Sequence, residues 1–135
     1  MSTVSYSIDE LLSIYELGRL YFEMGYFAPA ERIFSGLCAV DSGQTPSRIG
    51  LGLVKLECGA VNDALGHFRL ALQDNFYPFQ AKVSLLAGFL AAKELSRAQS
   101  ILLQIERELD GLPQVDPDLR ALCQGLFLTA RAKTN

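Results

Sequence analysis

The chain has 135 residues, 50% of them apolar and 20% charged, with 12 Lys and Arg against 15 Asp and Glu. That length allows one core and leaves little room for a second, and the apolar content is far from the signature of disorder. A formal charge of −3 and a pI near 5.1 argue against the clustered cations that nucleic acid or an anionic membrane would need.

The residues Ser7-Ile8-Asp9-Glu10 read as a capping box that opens a helix A1, expected to run to about Met24. Pro29 suits the first turn of a helix B1 ending near Val40. After a loop at 41–44, Thr45-Pro46 supplies a cap and a first-turn proline for A2, which should end near Cys58. B2 is expected over 61–74 and A3 from the turn at 75–78 to about Ala92. B3 should cover 95–109. The break Asp110-Gly111-Leu112-Pro113 precedes a last helix over 116–133, expected to cap the open end of the array. No strand pattern competes, and the longest apolar run, 83–92, is too short to span a bilayer.

A spacing of 34 residues links the helix pairs. Leu17, Leu51 and Leu85 fall in one register, as do Ala30, Ala64 and Ala98. Phe34, Phe68 and Leu102 fall in another, and Gly25 pairs with Gly59. This is the tetratricopeptide (TPR) period. The small residue lets helix B approach helix A, and the large one four positions on shares its face and fills the gap. Gly25 and Gly59 supply the left-handed residue that ends helix A, a place taken by Lys93 in the third copy. The expected fold is all-α, a single domain over 1–135. It comprises three tandem TPR helix-turn-helix repeats at about 11–44, 45–78 and 79–112, then the capping helix.

No catalytic constellation is visible, and no cofactor or metal is expected. Cys38, Cys58 and Cys123 are too far apart for a metal or redox pair and read as buried small hydrophobes. Their odd number without a leader pattern suggests reduced thiols in a cytosol. His67 stands alone on B2, and Asp9/Glu10 and Glu106/Glu108 read as solvated helix faces.

Repeat arrays bind through the concave surface lined by their A helices. The inward positions give Leu12, Tyr15, Arg19 and Phe22 on A1, then Ile49, Leu53 and Leu56 on A2, then Val83, Ala87 and Leu90 on A3. These are mostly apolar, either as a greasy groove or as core in a frame shifted by one. A groove also accounts for the mean hydropathy of +0.20, high for a small soluble domain. A clamp for a partner's C-terminal carboxylate would use the places held by Tyr15, Arg19, Gly50, Gln80 and Ser84, of which only Arg19 is cationic.

The segment 17–41, with Ala30-Glu-Arg-Ile-Phe34-Ser-Gly-Leu-Cys-Ala-Val-Asp41, resembles the class II chaperones of bacterial type III secretion, the SycD/LcrH-like translocator chaperones. Those proteins carry an Ala-x-x-x-Phe-x-x-Leu-Cys-x-x-Asp stretch at the end of their first repeat, and the likeness continues more loosely to residue 109. The resemblance implies a bacterial cytoplasmic chaperone without ATPase activity. Its partner would be a secreted hydrophobic client whose short segment lies extended in the groove, against Tyr15, Phe22, Phe27 and Val40. Arg19 stands where the family suggests an aromatic. Met1–Tyr6 is too short to supply the extra leading helix that the family uses in self-association, so homodimerisation stays open. A client that is a needle or export component, a general TPR adaptor and a structural assembly subunit are the alternatives.

Overall fold

A computed structural model describes residues 6–40 and 45–111, and begins as the capping box requires. The Ser7 hydroxyl accepts a hydrogen bond from the Glu10 amide at 3.1 Å, while the Glu10 carboxylate reaches back to Ser7. Six helices follow among the described residues: α1 (Ile8–Glu23), α2 (Phe27–Val40), α3 (Thr45–Glu57), α4 (Val61–Asp74), α5 (Pro78–Ala91) and α6 (Leu95–Asp110). The expected helices A1 to B3 are therefore present, with ends shifted by at most two residues. The expected capping helix over 116–133 lies outside the described residues.

Each helix packs on the next, α1 on α2, α3 on α4 and α5 on α6, which gives three antiparallel pairs. In addition α1 touches α3 and α3 touches α5, whereas α2, α4 and α6 make no comparable contacts with one another. The first helices of the pairs are thus drawn together on the inner side of the array. Within every pair the turn is the same. The Tyr26 amide donates to Tyr21 O at 2.9 Å and the Gly25 amide to Phe22 O at 3.0 Å, the double closure of a Schellman motif. Gly25 and Gly59 hold φ of 83° and 85°, and Lys93 takes the same left-handed conformation at 60°.

The repeat registers are buried as the period predicts. Ala30, Ala64 and Ala98 are fully enclosed, and Phe34, Phe68 and Leu102 lie beside them. Phe34 sits between two helices of the inner layer. A β-carbon added at Gly18 would lie 2.9 Å from its ring, and one added at Gly50 would lie 2.8 Å from it. Both positions need hydrogen where other residues carry a side chain, because the ring fills the space between α1 and α3. Leu51 and Leu85 are buried, but Leu17 is 45% exposed, since no earlier repeat covers it among the described residues.

Candidate functional site

The inner ends of α1, α3 and α5 enclose an open cavity of about 370 Å³. From α1 it is lined by Ile8, Leu11, Leu12, Tyr15 and Glu16; Pro46 comes from the first turn of α3, and Tyr77 and Gln80 from the start of α5. Local sequence explains the placement. Ile8, Leu12, Tyr15 and Arg19 recur at three- and four-residue spacing and share one face of α1. Pro46 and Pro78 each occupy a first turn, where a proline gives up no helical hydrogen bond, and Tyr77 is the residue just ahead of α5.

Tyr15 is half-buried and packs on Phe34 with ring centroids 5.8 Å apart. Burial and then the nearby Glu16 carboxylate raise its phenol pKa; Arg19 opposes them more weakly, and Tyr77 adds the least of the upward effects. The hydroxyl is therefore a proton donor at neutral pH. Arg19 lies beside the cavity and is held by two carboxylates of its own helix, Glu16 at 3.0 Å and Glu23 at 2.9 Å. The hydrogen bond to Glu16, followed by the charges of Glu16 and Glu23, raises the guanidinium pKa.

The sequence expectations divide here. Leu12 and Tyr15 line the cavity. Phe22 and Phe27 meet with tilted rings, centroids 5.6 Å apart, and pack, half-buried, against the core around Ala30 and Phe34. Leu53, Leu56, Val83 and Leu90 are likewise half-buried against the core of the second and third pairs, and Ala87 is exposed. Ile49 is corrected. It is 8% exposed and packs with Ala71 and Ala81, because the middle inner helix is covered from both sides. Val40 stands apart from the cavity. It is exposed but lines a different depression, of about 210 Å³, between α1 and α2 with Ile14, Ile33 and Gly36. The cysteines differ too, for Cys58 is exposed and Cys38 only half-buried.

Ile8, Leu11, Glu16, Pro46 and Tyr77 were missed as cavity residues, and Gln80 entered only as a clamp position. Tyr77 precedes its helix, so helical periodicity carries no signal for it. Among the described residues no group of three His, Cys, Asp or Glu could hold a metal, and no helix is long and apolar enough to cross a membrane.

No family model matches the chain, and no curated protein matches it. Solved structures do. The type III secretion translocator chaperone SycD of Yersinia enterocolitica superposes with a TM-score of 0.81 at 19% identity, over 96% of this chain and 89% of that one. PcrH, in complex with the chaperone-binding region of PopD, gives 0.80 at 21% identity over 97% and 98%. The first TPR unit of Spaghetti (RPAP3), bound to the HSP90 peptide SRMEEVD, gives 0.74 at 15% identity over 96% and 100%. The fold is that of a TPR solenoid.

Proposed function

We propose that this chain is a non-enzymatic, cytoplasmic chaperone of bacterial type III secretion. Its inner groove holds an extended apolar segment of a secreted, translocator-type client and keeps that client soluble and competent for export. The observation that carries this reading is the cavity between α1, α3 and α5, where leucine, isoleucine and tyrosine side chains converge while remaining open to solvent. Apolar surface gathered in a concavity is the usual mark of a binding site. The likeness to SycD and PcrH supports the choice of client, since a SycD structure holds a peptide of the translocator YopD. A client from the needle or export apparatus would use the same groove. Another SycD structure is an alternative dimer, and self-association of this chain is proposed on that likeness.

The likeness to RPAP3 raises a second reading, a clamp for an acidic C-terminus, and the groove counts against it. Gly50 and Ser84 are buried, and Arg19 is already paired with two carboxylates. Exposed Leu12 and Tyr77 give the cleanest test, because truncating them leaves the core alone. We expect Leu12→Ala and Tyr77→Ala together to weaken a fluorescent translocator-type peptide by about tenfold or more in anisotropy titrations. The helical circular dichroism should be unchanged. Wild-type affinity in the folded double variant would refute the groove.

A further inference from the structure

Among the described residues that line the cavity, only one carries a charge, the carboxylate of Glu16. Its helix also brings Asp9, Glu10 and Glu23, against the single cation Arg19. Arg19 is shared between Glu16 and Glu23 and is more than half exposed. An exposed ion pair of this kind holds its partners weakly. Arg19 can keep Glu23 and release Glu16 to a guest at little cost.

On the reading of the groove just given, we infer that the client segment carries a Lys or Arg beside its apolar anchor and that Glu16 pairs with it. Charge complementarity commits the site to that chemistry. An apolar side chain enters the space between Leu12, Tyr15 and Tyr77, and the neighbouring cation meets a carboxylate whose own partner has a second acceptor one turn away. The Tyr15 hydroxyl and the Gln80 amide flank the same space and can bond the peptide backbone. An acidic residue in that place would stand beside the Glu16 carboxylate, which lines the cavity, whereas Arg19 is not among the lining residues. The groove therefore selects by sign of charge as well as by hydrophobicity.

The test uses three fluorescein-labelled peptides with one leucine–tyrosine anchor, flanked by Lys, Gln or Glu. They are titrated at low and high salt against the full chain and against Glu16→Gln, Glu16→Lys and the remote control Glu57→Gln. At low salt we expect the Lys-flanked peptide to bind about fivefold more tightly than the Gln-flanked one. The Glu-flanked peptide should bind more weakly than both. The preference should disappear in Glu16→Gln, invert in Glu16→Lys, persist in Glu57→Gln and shrink with added salt. Equal affinities for the three peptides in the wild type would overturn the inference and leave the groove standing, as would a preference that survives Glu16→Gln. Failure of all three peptides to bind the wild type would remove the groove itself, and this inference with it.

Discussion

His67 illustrates how a side chain with no part in the groove still governs behaviour. It lies on α4, and its Nδ1 is buried without a hydrogen-bond partner among the described residues. Around it stand Glu31 from α2, Arg48 and Lys55 from α3, and Asp63 from its own helix. Burial, then the two cations, push its pKa below the ordinary 6.5, and the two carboxylates only partly oppose them. The unfolded chain therefore binds more protons than the folded one just below pH 6.5, so acidification through that window costs stability. We expect the urea midpoint of the wild type to fall more steeply between pH 7 and about pH 5.5 than that of His67→Gln. Parallel profiles would show that the imidazole titrates alike in both states. At this scale the sequence was only partly legible. It marked His67 as solitary, but the charges that surround it come from three helices and are brought together only by packing. Tyr15 could be read because its helix repeats an inward face. Ile49 could not, since its exposure depends on Ala71 and Ala81 from α4 and α5.

At the scale of elements, the turns between paired helices share one left-handed position, filled twice by glycine and once by lysine, and so form an internal comparison. Gly25, Gly59 and Lys93 occupy the same left-handed position, and the same pair of amide bonds closes each turn. A side chain at positive φ is strained, whereas glycine at that place costs unfolded-chain entropy. The strain is the larger, so Lys93→Gly is expected to stabilise the domain by about 0.5–1 kcal/mol. The checking measurement is a higher urea midpoint at constant m value; a lower one would show that the lysine stem contributes packing there. The helices themselves were legible almost to the residue, because a capping box, first-turn prolines and left-handed stops are all local signals. The loop at 41–44 and the expected helix at 116–133 lie outside the described residues, so the structure offers no comparison there.

Over the whole molecule, the 34-residue period fixes which side chains meet, and Phe34 shows how repeats are joined. Its ring belongs to the first helix pair yet fills the notch at Gly50 in the second. Neither pair can open without exposing it. Phe34→Leu is expected to speed native-state amide exchange in α1 and α3 alike and to leave α6 nearly unchanged, whereas an effect confined to α1 and α2 would show that the pairs are energetically separate. The groove depends on this joining, since its walls come from three different pairs. The exposure of Leu17 has a constructive consequence. Its counterparts Leu51 and Leu85 are 8% and 3% exposed, so α1 presents a ready-made socket for one more module. A designed helix pair fused ahead of Ser7 would find Leu17 and Leu20 waiting as contact points. The array would lengthen by growth at that end, with the binding face extended and the existing cavity left intact.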